Sequence, residues 1–525
     1  MNTTPINDPD YDVAIIGGAL AGAATALQLL EEMPALRVLI LERDEAFDRR
    51  VGEATIELST YFLTRVLGMT AHLTREHLTK QGLRFWFTNS RATDLPSCSE
   101  IGGRYHARIT SFLVDRALLD EATLQRAITL GATLKRPAKV REINLSSGNS
   151  QSIVFQHNGR TEEIKARWVV DASGIAALVA RKNGWLQSKP EHPTTATWAR
   201  WTGVGDWDSP ELAKRYPKWA AATIGTRNSA TNHFMGDGWW AWFIPFRTGE
   251  VSIGIVWDER HFDLPEGANI ASRIRDFLME HHPAARELMK DASPIEGDVH
   301  WRRHLPYSST TLAGDGFALV GDAAGFLDPF YSPGLDWLGF TTARTAQLIV
   351  AERQGNSDVA VLVRKHNQDF TRSYQRWFDA LYRDKYDYLG DYDLLRVAFV
   401  LDLGLYYLGV VSQPYRQGEK AFLEPYFSTP PSTPFYHFMA FYARRLAAMG
   451  RERRRRGVFG LHNANRQFMF GGFSLEWTMA IPIVKALCGW VWLELTEGWR
   501  SWFGASPRST SLKSAQPFAA ENSQA

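Results

Sequence analysis

The chain has 525 residues, 45% hydrophobic and 22% charged, the make-up of a large globular protein and not of a fibrous or low-complexity one. A net charge of +2 excludes the strong basic imbalance that nucleic acid as main partner would need, and the two cysteines, Cys98 and Cys488, exclude a disulfide framework or a cysteine-based metal site. Residues 1–10 are polar without an apolar signal core, so a reducing, cytoplasmic location is expected.

The first pattern occupies residues 11–42. Val13, Ala14, Ile15 and Ile16 make the short apolar run of a buried parallel strand. A turn of small residues follows (Gly17, Gly18, Ala19, Ala21 and Gly22, with Leu20 among them), then helix formers as far as Leu30, then a second apolar run closed by Glu42. Strand, glycine turn, helix, strand and acid are the order of a dinucleotide-binding βαβ unit. Small turn residues let backbone N–H groups and the helix N-terminus reach a pyrophosphate. Ala19 replaces the fingerprint's second glycine, and Glu42, twenty residues after Gly22, stands where a carboxylate accepts ribose hydroxyls.

Next, Gly52, Glu53 and Ala54 form either a second loop against the cofactor or a plain helix N-terminus. A strand is expected at 83–87, with Lys80 just before it; taken alone, such a lysine is a solvated surface charge. Residues 111–132 read as one helix, near whose start Arg116 either reaches a flavin phosphate or pairs at the surface with Asp115 or Asp120. Strands are expected at 139–145, 152–155 and 163–170, the last ending in a small-residue loop of the kind that borders a cofactor cleft. From 194 to 304 the pattern is β with many aromatics, including a hairpin of 239–246 and 251–256 and a helical stretch, 272–289, broken near Pro283. The 19 Trp and 29 Phe of the chain suit a large apolar pocket. Residues 317–325 return to a nucleotide-binding pattern, with a buried strand that ends in Gly321 and Asp322. Asp322 is either an acceptor for a ribitol hydroxyl or a helix N-cap without a ligand.

Beyond residue 356 the pattern is helical. Residues 394–411 and 480–495 are very apolar, but Arg396 and Asp402 interrupt the first, and Pro482, Lys485 and Glu494 the second. Neither is expected to span a membrane; the reading is core helices, with contact to a membrane surface or a partner as the alternative. The five arginines in 451–456 are either a solvated face or a dock for an acidic carrier protein or its phosphopantetheine arm. Residues 505–525 read as a disordered tail.

Three segments together resemble the flavin-dependent halogenases. Trp240, Trp242, Ile244 and Pro245 fill every fixed position of the family's W-x-W-x-I-P motif. Residues 326–334 are similar to its F-x-x-P-x-x-S-x-G loop, and Lys80 stands five residues before Phe85, as the family's active lysine does. The resemblance implies an α/β fold: a GR2/PHBH-like, Rossmann-type, three-layer FAD-binding domain at 1–193 and 305–350, an inserted and mainly antiparallel substrate sheet at 194–304, and helices at 351–504. It implies FAD used as FADH2 from a separate flavin reductase, O2, and chloride or bromide, with no metal. A C4a-hydroperoxide would turn halide into hypohalous acid, which Lys80 would pass to an electron-rich aromatic, free or carrier-tethered.

By the same resemblance Trp240, Trp242, Ile244, Pro245 and Tyr331 would form the wall between flavin and substrate. Gly17, Gly18, Ala19, Ala21, Gly22, Glu42, Glu53, Ala54, Arg116, Gly321, Asp322, Gly334 and Leu335 would hold the cofactor. The family's halide rests on two backbone N–H groups, of the loop's last glycine and the residue before it. Here that residue is Pro333, which has no N–H, so halide falls to Gly334 with Ser332 beside it. Tyr331 stands where tryptophan halogenases carry a glutamate, which points to a substrate that activates itself, such as a phenol. The rival readings are an FAD-dependent aromatic monooxygenase that uses no halide and a non-catalytic flavin-binding accessory protein.

Overall fold

In the computed structural model, which describes residues 9–148 and 150–502, the strand Tyr11–Ile16 lies inside an eight-stranded sheet. Val38–Leu41 runs parallel on one side of it and Arg160–Asp171 on the other, with Phe317–Leu319 next in line. A parallel sheet is buried on both faces, so its strands must be apolar throughout; Val13, Ala14, Ile15, Leu39, Ile40, Val169 and Val170 have no exposed surface. Ile16 is in register with Leu41 and Asp171, and Asp171 with Leu319. The carboxyl ends are therefore level, and the turns after these strands share one edge. The crossover helix Leu20–Glu32 packs against the helices Arg116–Thr129 and Gly334–Arg353.

The second sheet also has eight strands, in the order Ser293–Arg302, Thr194–Thr202, Val251–Asp258, Trp239–Pro245, Thr231–Gly236, Leu83–Phe87, Ser99–Gly103 and Gln467–Phe470. It is mainly antiparallel, the exceptions being Thr231–Gly236 with Leu83–Phe87 and Gln467–Phe470 with Ser99–Gly103. It thus reaches beyond 194–304 to strands near residues 83–103 and 467–470. Successive side chains of a strand point to opposite faces. Trp240, Trp242 and Ile244 accordingly join the main core, while Trp239, Ala241 and Phe243 join a second core on the far face with Trp86, Trp201, Trp207, Trp219 and Trp257. Much of the tryptophan content serves this second core.

Two local expectations are corrected. Residues 111–132 are not one helix: Ser111–Leu113 is a strand that pairs with Leu78–Lys80, and the helix starts only at Arg116. Asp115 sets that start, because its carboxylate accepts the N–H groups of Ala117 and Leu118 and caps the first turn. Lys80 accordingly lies within a strand and not at the entrance of the next one.

Two helical stretches, Tyr392–Leu423 and Trp477–Thr496, are long and apolar enough to cross a membrane by length and composition. The most apolar part of the first is 61% buried, a core element as expected. The second is only 17% buried, so the expectation of a core helix fails there. In Ala480–Thr496 only Ile483 and Ala486 are buried. The tail expected at 505–525 lies outside the described residues.

Candidate active site

The glycine turn is shaped by close backbone approach. A Cβ at Gly17 (φ 101°) would lie 2.5 Å from the Ala172 carbonyl oxygen, and one at Gly22 would lie 1.9 Å from that of Gly17. Neither position admits another residue. Ala19 is the N-cap of Leu20–Glu32 and no side chain caps that end, which leaves first-turn N–H groups to an external anion. Glu42 is fixed across the turn, Oε2 accepting Gly18 N–H at 2.7 Å and Oε1 accepting Asp44 N–H at 3.0 Å. On the same edge Asp322 sits in the Gly321–Ala323 turn. Withdrawal from solvent raises its carboxyl pKa, against the pull of Arg302 and Arg116, and among the described residues none hydrogen-bonds the side chain. A half-buried carboxylate without a partner fits a ligand hydroxyl. The cradle therefore suits FAD: pyrophosphate at the glycine turn, ribose at Glu42, ribityl chain near Asp322.

Of the two readings of residues 52–54, the helix N-terminus is removed by the structure. The next helix begins only at Glu57, so Glu53 is not in its first turn. Its buried carboxylate is gripped by Arg200, whose Nε and Nη2 donate to Oε1 at 3.1 and 3.0 Å. Burial pushes this carboxyl up to about 7 while Arg200 pulls it down. Ala54 bridges to Leu113. Arg116 takes Asp120, with Nε at 2.9 Å and Nη2 at 3.1 Å, and Nη1 donates to the Val51 carbonyl. That pair is buried and not at the surface, and Asp115 is bound by Arg200 instead.

The loop 326–334 is held in an unusual backbone. Tyr331 and Ser332 have φ of 68° and 57°, a conformation that side chains other than glycine's rarely adopt. Anchors on both sides hold it there. Asp328 accepts the Phe330 N–H at 2.9 Å and faces His192 Nε2 at 3.0 Å, and the Tyr331 hydroxyl donates to Asp402 Oδ2 at 3.2 Å. Asp402 also binds Lys385 Nζ at 2.7 Å, both buried, and accepts the Tyr442 hydroxyl. Sequence patterns do not reveal this cluster, since Asp402 stands 71 residues from Tyr331 in the chain. Pro333 caps the 20-residue helix Gly334–Arg353, so Gly334 and Leu335 are its first residues. Their N–H groups carry the positive end of the helix dipole. No side chain caps this end either.

Lys80 is 1% exposed, and its Nζ donates to the Thr55 carbonyl at 2.9 Å. Burial lowers its pKa to about 8, with Glu57 and Asp336 pulling upward. It is no surface charge. It lines a cavity of about 810 Å³, together with Tyr331, Pro333, Tyr382, Phe399 and Tyr406. The Asp336 carboxyl is itself pushed up to about 7 by burial, although the Tyr426 and Tyr406 hydroxyls donate to it. Of the five expected wall residues only Tyr331 lines this cavity; Trp240, Trp242, Ile244 and Pro245 do not. Trp240 meets Phe330 edge-on at 5.2 Å, and Phe330 lies 4.3 Å from Tyr331. Both indoles are fixed, Trp240 Nε1 donating to the Tyr386 hydroxyl at 2.9 Å and Trp242 Nε1 to Ser252 Oγ at 3.1 Å. The cavity's remaining lining comes largely from the C-terminal helices, whose part in the site the sequence did not disclose. The arginine run is mostly occupied within the fold: Arg451 binds Asp387, Arg453 binds Asp391 and Glu497, Arg454 binds Asp237, and Arg455 binds Glu452.

Glycine turn, acid and half-buried aspartate on one sheet edge define an FAD-binding oxidoreductase. The family model described as "FAD binding domain" matches residues 10–335, more than half of the chain. Flavin-dependent halogenase chlA of Dictyostelium discoideum is 27% identical over 64% of this chain and 59% of its own length. The 1H-pyrrole-2-carbonyl-[peptidyl-carrier protein] chlorinase of Pseudomonas fluorescens is 26% identical, over 71% of this chain and 83% of its own. Among solved structures, halogenase PltM matches with a TM-score of 0.72 at 20% identity, covering 91% of this chain and 97% of that one, which speaks for the fold. The chain belongs to the FAD binding domain family, and the relatives it resembles are flavin-dependent halogenases.

Proposed function

We propose that the protein halogenates an electron-rich, phenolic substrate, with Lys80 carrying the transfer. The observation that supports this reading most is the buried ammonium of Lys80 on the wall of the 810 Å³ cavity. FAD, reduced by a separate reductase, supplies with O2 and halide the electrophilic halogen. The protein's own residues do the rest. An ammonium has three donors, and Thr55 takes one; the others hold and polarise hypohalous acid at a buried amine, where such a donor acts most strongly. With its pKa near 8, the amine also keeps a neutral fraction able to form a haloamine. Trp240 and Trp242 stiffen the loop that Tyr331 presents to the substrate. Halide binds at the Gly334 N–H with Ser332 adjacent. Separated cysteines, one buried and one exposed, fit a reducing cytoplasm. A carrier-tethered acceptor is what the pyrrole chlorinase relative would suggest, but the occupied arginine run does not serve it.

The test is incubation with FAD, a flavin reductase, NADH and bromide on a panel of phenols and indoles, read by the bromine isotope doublet in the product mass. Lys80→Ala should keep FAD and lose the brominated product; bromination at the parent's rate would remove Lys80 from the reaction. A second reading, an aromatic hydroxylase, is favoured by Pro333. It predicts a hydroxylated product and NADH consumption stimulated by the aromatic with no reductase added.

A further inference from the structure

The outward face of the C-terminal helix is apolar except for Lys485 near its middle. Trp477, Ile481, Val484, Trp492, Leu495 and Trp499 are each 47–80% exposed and recur at helical spacing on one side of Ala480–Thr496 and the turns flanking it. The acids of this helix are turned the other way. Glu494 binds Arg445 at 2.9 and 2.7 Å, and Glu497 binds Arg453, so both are neutralised against the body of the protein. Lys485 is the exposed charge of the helix among the described residues, and Glu476, at the edge, pairs with Arg108 at 3.4 Å.

We propose that this face lies in the headgroup boundary of a membrane leaflet containing anionic lipid, with the helix along the surface and not across it. A spanning position is ruled out by the inner side, which is ion-paired to Arg445 and Arg453 and packed through Ile483 and Ala486. Tryptophans at both ends of an apolar stripe are the usual anchors of an interface, half apolar and half wet. The exposed Lys485, and Arg500 stacked on Trp499 at 5.2 Å, complement anionic headgroups. A second copy of the chain fits less well. A two-fold dimer along the stripe would bring two Lys485 side chains close together near its middle, in apolar surroundings. The face also adjoins the cavity: Arg108 and Phe473, just before Trp477, both line it. Docking would turn the cavity mouth toward lipophilic aromatics dissolved in the leaflet.

The test sediments the full-length, FAD-loaded protein with phosphatidylcholine vesicles, with and without about a third of phosphatidylglycerol. The parent should pellet with the anionic vesicles. The double variant Trp492→Ser, Leu495→Ser, which touches neither core nor cavity, should bind them about tenfold more weakly with unchanged FAD content and melting temperature. Equal binding of parent and variant, or a parent that stays in the supernatant, would overturn the proposal. So would a dimer in light scattering that the double variant dissolves while vesicles bind neither form. Binding indifferent to phosphatidylglycerol would overturn the anionic part of it.

Discussion

Replacing Lys80 by methionine should abolish halogen transfer and, at neutral pH, relieve the folded protein of a charge. Burial at 1% exposure lowers the lysine pKa from 10.5 to about 8. At about 1.4 kcal/mol for each factor of ten in proton affinity, the charged amine costs the folded state about 3 kcal/mol. The folded pKa lies below the unfolded one, so the unfolded chain holds more protons between about 8 and 10.5. The penalty is therefore complete below pH 8, and stability climbs with pH across that window. Methionine removes the charge but leaves the Thr55 carbonyl without its donor, a loss of about 1–2 kcal/mol. Because that loss does not depend on pH, the difference between parent and variant isolates the charge. Urea denaturation at about pH 7 and about pH 10 should show the advantage of Lys80→Met falling by about 2–3 kcal/mol from the lower pH to the higher. A difference that stays constant with pH would refute the reasoning, since the amine would then not be held charged in a buried position.

Gly22→Ala should leave the protein without FAD, because the added methyl would overlap the Gly17 carbonyl at 1.9 Å; absorbance of the purified protein near the flavin bands checks it. Asp402→Ala should destabilise by about 3–5 kcal/mol by leaving Lys385 buried without its counter-charge, whereas Tyr331→Phe should lose only about 1 kcal/mol. Denaturation midpoints of the two variants decide this, and equal losses would contradict it. Pro333→Ala restores an N–H beside that of Gly334 and should lower the KM for halide; an unchanged KM would place the halide elsewhere.

The flavin half was legible because its signals are local. Gly17, Gly22 and Glu42 fall within one βαβ unit, where spacing along the chain and distance in space amount to the same thing. The W-x-W spacing was legible too, and the sheet explains it: a period of two sends Trp240 and Trp242 to one face and Trp239 and Phe243 to the other. What stayed hidden depends on remote pairing. Nothing near Lys80 announces that Thr55 will cover it, or that Tyr331 will meet Asp402. Arg116 stands beside one aspartate and four residues from another, and only the strand Ser111–Leu113 settles that it binds Asp120 while Asp115 caps the helix. The exposure of Ala480–Thr496 escaped for a related reason: apolar composition is shared by core helices and by helices that face lipid, and only the neighbours distinguish them.

Because the cavity around Lys80 is closed largely by helices beyond residue 356, while the nucleotide cradle is built before residue 345, this enzyme divides its labour along the chain. New acceptors can be explored by grafting the distal third from relatives or varying it at Phe399, Tyr382 and Tyr406, leaving the oxidising machinery intact. The Tyr331–Asp402 latch is a join such chimeras must preserve, for it ties the loop 326–334 to the helices that line the cavity.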